Sequence, residues 1–178
     1  LDVRGVGLKL AGLQASELLL TADIDPADAQ RSRWQLNGKQ LRYDDWQSGL
    51  LEISGTGNAG QHQFTARLHS DQGDADLAAS GAYREEVWQG ELSSLTLSPA
   101  ALGNWTLQAP VALSAAAQQF RVARLCLVQA DAQLCGLASR QATGNIDATA
   151  EWQELPLALL QPVLAEDAEV SGTVMGSA

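Results

Sequence analysis

Trp105-Thr106-Leu107-Gln108-Ala109-Pro110-Val111-Ala112-Leu113-Ser114-Ala115 is the stretch that decides the fold. Trp105, Leu107, Ala109, Val111, Leu113 and Ala115 fall on one side of a two-residue period, and Asn104, Thr106, Gln108 and Ser114 fall on the other. A helix would scatter these residues, whereas a strand gives one apolar and one polar face, so the stretch reads as a long half-buried strand.

The same period recurs outward from it. Ile146, Ala148, Ala150 and Trp152 oppose Asn145, Asp147, Thr149 and Glu151, and His62, Phe64, Ala66 and Leu68 oppose Gln61, Gln63, Thr65 and Arg67. Ala75, Leu77 and Ala79 make a shorter run; Leu18, Leu20, Ala22 and Ile24 fit it too, with Leu19 leaving a helical reading of Ala15 to Leu20 open. Turn formers separate the runs at Asn37-Gly38, Gly55 to Gly60, Ser70 to Gly73, Pro99 to Asn104, Ala130-Asp131 and Ser139 to Asn145. Gaps this short favour antiparallel hairpins. Asn37-Gly38 is the sharpest signal and predicts a hairpin of Arg33 to Leu36 with Lys39 to Tyr43, because both residues tolerate the positive φ of a type I′ turn. Short helices are expected at Pro26 to Arg31, capped by Asp25, and at Pro156 to Leu164. The expected class is mostly β and antiparallel, with one or two short helices.

Composition narrows the function. The 178 residues fit a single segment, and the 46% apolar content is divided chiefly between 29 Ala and 28 Leu, with only nine aromatics, so much of any interior is small. A net charge of −10 lacks the cationic footprint that a nucleic-acid phosphate backbone requires, and argues against docking on anionic headgroup surfaces. It leaves open the binding of an acyl chain in an apolar cleft. No stretch reaches the length of a membrane span, and Leu1 follows no basic leader, so the chain reads as an excised soluble piece whose anchor or export signal would lie elsewhere.

Motifs for chemistry are sparse. Gly55-Thr56-Gly57-Asn58-Ala59-Gly60 has the G-x-G-x-x-G spacing, yet Gln61 to His69 alternates where a dinucleotide site needs a helix, so the run reads as a glycine-rich turn. Asp71, Asp74 and Asp76, and Asp23, Asp25 and Asp28, lack the loop of a calcium site. His62 and His69 are seven apart and point to opposite faces of a strand, which leaves no His-based metal site or triad. Glu85 and Glu86 are adjacent and diverge on a strand, so neither a cofactor nor an enzymatic reaction is expected. Cys126 and Cys135 flank Ala130-Asp131 symmetrically and oppose each other in a two-residue hairpin, which predicts a disulfide and an oxidising compartment. A redox or metal pair would want C-x-x-C spacing and further ligands.

Taken in order, Trp88-Gln89-Gly90-Glu91-Leu92 with Leu95 and Leu97, Gly103-Asn104-Trp105-Thr106-Leu107, Pro110-Val111-Ala112-Leu113, Leu125-Cys126-Leu127, Leu134-Cys135, Leu155-Pro156-Leu157-Ala158-Leu159-Leu160 with Pro162, and Ser171-Gly172 resemble the middle region of the TamB family of AsmA-like envelope proteins. The resemblance covers residues 55–178, departs from the family pattern at Gly136-Leu137-Ala138-Ser139, and is limited in 1–54 to a glycine-punctuated strand style. It implies one segment, residues 1–178, of a longer repetitive periplasmic structure: antiparallel strands in a long U-bent sheet, β-taco-like, with an apolar inner groove. It also implies an inner-membrane anchor in a Gram-negative bacterium, an outer-membrane Omp85-type barrel partner, TamA, and work in phospholipid movement and outer-membrane protein assembly. On that reading acyl chains lie on Phe64, Leu68, Leu77, Leu107, Val111, Leu113 and Ile146, each buried CH₂ contributing about 0.8 kcal/mol. Two alternatives stand beside it: capture of client β-strands by an unpaired edge, and a closed β-sandwich acting as a structural module.

Overall fold

The computed structural model describes residues 1–10, 13–25, 32–43, 46–100, 102–157 and 171–178. These form thirteen strands: β1 (Asp2–Leu10), β2 (Leu13–Asp23), β3 (Arg33–Tyr43), β4 (Trp46–Asn58), β5 (Gln61–Ser70), β6 (Gly73–Arg84), β7 (Val87–Pro99), β8 (Trp105–Leu107), β9 (Val111–Ala116), β10 (Gln119–Gln129), β11 (Ala132–Arg140), β12 (Ile146–Pro156) and β13 (Thr173–Ser177). All pair antiparallel in one sheet whose order follows the sequence from β1 to β13, with β8 and β9 both lying between β7 and β10. Short hairpins bring each strand beside its predecessor, and this sequential ladder is that of a β-taco-like sheet rather than a two-sheet sandwich.

Several expectations need correction. No α-helix occurs among the described residues: Pro156 ends β12 opposite Thr173, a strand terminus where its missing N–H is tolerated, while residues 26–31 and 158–164 lie outside the described set. Ala15 to Leu20 is strand, not helix. Asn37-Gly38 is no turn; the pair sits inside β3, opposite Leu19 and Leu18 on one side and Glu52 and Leu51 on the other. Ladder bonds to two neighbours outweigh a local turn preference. The glycine run is likewise mostly strand, with the turn confined to Ala59 and Gly60, where Asn58 Oδ1 accepts from the Gly60 and Gln61 amides. Finally, the Trp105 to Ala115 alternation is split into β8 and β9 at Gln108 to Pro110, where proline cannot donate to the ladder. The Gln108 amide still bonds the Cys126 carbonyl at 2.9 Å.

Three irregularities keep apolar side chains on one face. Ser93 is an extra residue opposite the Ala78–Ala79 step, which lets Leu92 and Leu95 share a face despite their odd spacing. Left-handed backbone at Gln40 (φ 49°) has the same effect, since a Cβ on Gly38 would meet both Leu18 and Leu41. A bulge in β10, between Val122 and Leu125, carries both residues into one apolar cluster.

The β6–β7 hairpin carries a local conflict. Its two-residue turn, between Arg84 and Val87, places Glu85 (φ 52°) and Glu86 (φ 64°) in the left-handed region that a type I′ turn demands. Replacing them with asparagine and glycine removes a steric cost of about 1 kcal/mol or more, so E85N/E86G is expected to raise the urea midpoint with an unchanged m-value. A lower midpoint would show that the glutamates make compensating contacts.

Candidate functional site

The register assembles three apolar rows across the sheet. One runs Val3, Leu20, Leu36, Ile53, Ala66, Leu77 and Leu95, each residue directly opposite the next on the neighbouring strand. A second runs Leu18, Gly38, Leu51, Leu68, Ala75, Leu97 and Trp105, and a third Ala22, Trp34, Gly55, Phe64, Ala79, Leu92 and Val111. The rows between them are polar, as in Glu52, Arg67, Asp76, Thr96 and Thr106. Strand alternation thus becomes sheet sidedness.

Most of the apolar face is half-buried rather than sealed. Closed packing occurs around Ala79, Leu92 and Val111, and around Trp105, Leu127 and Ala132. Of the residues expected to line a groove, Phe64, Leu77, Leu107 and Leu113 pack against the first centre, to which Val111 itself belongs. Leu107 touches both centres. Leu68 is half-buried in its row outside either centre, and Ile146 stands apart at the start of β12, 66% exposed.

Sequence reasoning missed how the tryptophans are held. Trp34 lies over Gly55, Trp152 over Gly176, and Trp88 over both Gly81 and Gly90, so that a Cβ on any of these glycines would fall 2.4–2.6 Å from an indole carbon or nearer still to backbone. Cross-strand Trp–Gly pairing was the available signal: Trp34 faces Gly55 and Trp152 faces Gly176 directly. The Trp88 indole N–H donates to His62 Nε2 at 2.7 Å, while His62 Nδ1 lies 3.0 Å from the Asn58 carbonyl. In this arrangement Nε2 accepts from Trp88 and Nδ1 faces the Asn58 carbonyl.

The ion-paired side chains keep to the other face. Glu17 is bridged by Lys39 at 3.1 Å and Arg4 at 2.9 Å; the Lys39 hydrogen bond, and then the Arg4 charge, hold its carboxyl below the usual range. Asp76 forms an ion pair with Arg67, and Asp74 shares a hydrogen bond with His69 Nδ1, so two of the three carboxylates near Gly73 have cross-strand partners. Open concavities of ≈ 920 and ≈ 970 Å³ have mixed linings, Gln35, Ser54 and Thr65 with Trp34, Phe64 and Ala79 in the first and Thr56, Gln63 and Glu91 with His62 and Ala82 in the second. Among the described residues no group of His, Cys, Asp and Glu side chains is placed to hold a metal, and no helix is long and apolar enough to cross a membrane.

Cys126 and Cys135 are disulfide-bonded, directly opposite each other with Cα atoms 4.1 Å apart. Their row continues to Glu151, which pairs with Arg124, so the bridge lies on the charged face beneath the β10–β11 hairpin. Closing so short a loop contributes roughly 2–3 kcal/mol. Cys126→Ser is expected to lower stability by that amount in oxidised protein, and an equal loss under reductant would refute the role of the bridge. Leu107→Asp, which puts a carboxylate between two packed centres, is expected to cost about 2–4 kcal/mol in chemical denaturation. At half-open Leu68 the same change is expected to cost less than about 1 kcal/mol, and equal losses at the two sites would mean the face is sealed throughout.

No solved structure matches the chain. A family model does, the N-terminal domain of TamB, over residues 1–178. It takes in residues 1–54, where the sequence offered only a loose strand style, and it places the match in the family's N-terminal domain instead of the middle region. That family is a non-enzymatic component of envelope transport and assembly. With every residue of the sequence inside the match, the chain belongs to the TamB family.

Proposed function

We propose that the chain is a lipid-conducting periplasmic segment. Its apolar face shields phospholipid acyl chains between the inner and outer membranes, within a full-length protein that is anchored in the inner membrane, partners the TamA barrel and aids outer-membrane protein assembly. The observation that supports this reading best is the run of three parallel apolar rows across seven strands each, half-buried over most of their length. Contacts of that kind are undirected. Each CH₂ laid on the face is worth at most about 0.8 kcal/mol, so an acyl chain is held by area and can advance without breaking any single strong bond. Phe64, Leu68, Leu77, Leu107, Val111 and Leu113 lie in or beside these rows, with Ile146 toward the far edge. The Trp–Gly pairs keep the face free of protruding β-carbons where the indoles lie flat.

Edge capture of client strands draws support from a different observation, the open sheet order in which β1 and β13 each have one neighbour. The two readings separate by photocrosslinking in the full-length protein in cells. With a benzophenone side chain at Leu68 or at Thr65 on the opposite face, phospholipid adducts are expected at 68 and not at 65. Protein adducts without lipid at 68 would overturn the lipid reading in favour of client capture.

A further inference from the structure

The apolar face is pinched in its middle. Along the row that begins with Ala22, Trp34, Gly55 and Phe64, exposure falls to 4% at Ala79, 7% at Leu92 and 3% at Val111. Trp105, Leu127 and Ala132 form the second sealed centre, and Leu95, Leu107 and Leu125 pack against both. A side chain on one face of a single sheet is covered this completely only where the sheet curls and its neighbours close over it. On either side the face reopens: Leu51 and Leu68 are half-buried on β4 and β5, and Leu134 on β11 is 38% exposed.

The strand at the pinch is lightly held. β8 is the shortest of the thirteen, pairing with β7 only at Thr96–Thr106 and Leu97–Trp105 and with β10 only at Val128–Thr106 and Leu127–Leu107. Breaks flank it on both sides. Gly103 precedes it in left-handed backbone at φ 71°, and Gln108 to Pro110 follow it, exposed and outside any strand. The Trp105 indole N–H donates to the Leu102 carbonyl and the Gln108 amide to the Cys126 carbonyl, so the segment is tied mainly at its two ends. The frame behind it is firmer. β9 pairs along its length with β7 and β10, and the Cys126–Cys135 bridge fixes β10 to β11.

We infer that residues 104–110 are a flap that gates the acyl-chain path, with Trp105 and Leu107 as the side chains an acyl chain displaces in order to pass. The inference rests on the acyl-chain reading above and adds to it the place where the path opens and closes. An alkyl chain laid against the side chains that Leu107 leaves restores the apolar contact they lose, so opening onto lipid costs less than opening onto water. The main-chain loss is confined to the few ladder bonds of β8. Groups freed there lie beside exposed Asn104, Thr106 and Gln108, where water takes them up. Elements that move are drawn from segments of low local stability, and β8, between its two breaks, is one.

Two measurements on the full-length protein test this. By hydrogen exchange, a peptide spanning β8 is expected to exchange about tenfold faster than peptides spanning β5 and β6, and equal protection would overturn the flap. The second measurement locks it. T96C/T106C places two cysteines directly opposite each other on the polar face, bridging β7 to β8 without touching the apolar rows. Benzophenone at Leu68 or Leu134 then reports lipid in cells on the two sides of the pinch. The unlocked protein is expected to give phospholipid adducts at both positions, and the oxidised lock to keep them at one and lose about tenfold or more at the other. A control bridge between β5 and β6, T65C/A78C, is expected to change neither. Unchanged adducts at both positions in the lock, loss at both, or an unlocked protein labelled at 68 and not at 134 would each overturn the flap and leave the acyl-chain reading standing. Absence of lipid at 68 in the unlocked protein would sink that reading, and the flap with it.

Discussion

Everything in the molecule hangs on one unbroken main-chain ladder. Each interior strand bonds to a neighbour on both sides, β8 and β9 sharing the place between β7 and β10, so the backbone donors and acceptors there are satisfied without reference to side chains. Side chains are therefore free to segregate by face. The ladder converts a two-residue sequence period into rows of Leu, Ile, Phe, Trp and Ala that run perpendicular to the strands, and confines ion pairs such as Arg67–Asp76 and Arg124–Glu151 to the reverse side. Sealed packing is concentrated where β7 to β10 crowd together and Leu92, Val111, Trp105 and Leu127 reach 8% exposure or less. Elsewhere the apolar face stays partly open, which is the property an acyl-chain conduit needs and a globular core lacks.

Much of this was legible from the sequence, because the physics of a half-buried strand is local. The alternation of His62 to Leu68 reappears residue by residue in the burial of β5, and the placement of Cys126 opposite Cys135 follows from a two-residue turn at Ala130-Asp131. What failed was turn chemistry read in isolation. Asn37-Gly38 has the best hairpin dipeptide in the chain and is mid-strand, while Glu85-Glu86 has poor turn propensity and forms the type I′ turn. In both places long-range pairing decided the outcome, and no window of a few residues carries that information.

The candidate site was legible in its faces and obscure in its depth. Phe64, Leu68, Leu77, Leu107, Val111 and Leu113 do share a face, but alternation alone holds no measure of which of them is covered: Val111 is 3% exposed and Leu68 lies half-open. Depth depends on bulges at Ser93 and the Val122–Leu125 step, and on the left-handed backbone at Gln40, each of which changes which side chains of its strand share a face. A single inserted residue changes no local propensity and redirects every side chain beyond it.

Sequential order has a metric consequence. With twelve strands along the main path at ~4.8 Å spacing, the ladder extends on the order of 50 Å from β1 to β13, a reach set by counting strands rather than by any particular residue. Adding or deleting one hairpin changes that reach by two spacings and preserves the pairing of the rest, since each strand bonds only to its neighbours in the order. A protein built this way can be fitted to a gap of given width by duplication alone, as a ruler is cut to length.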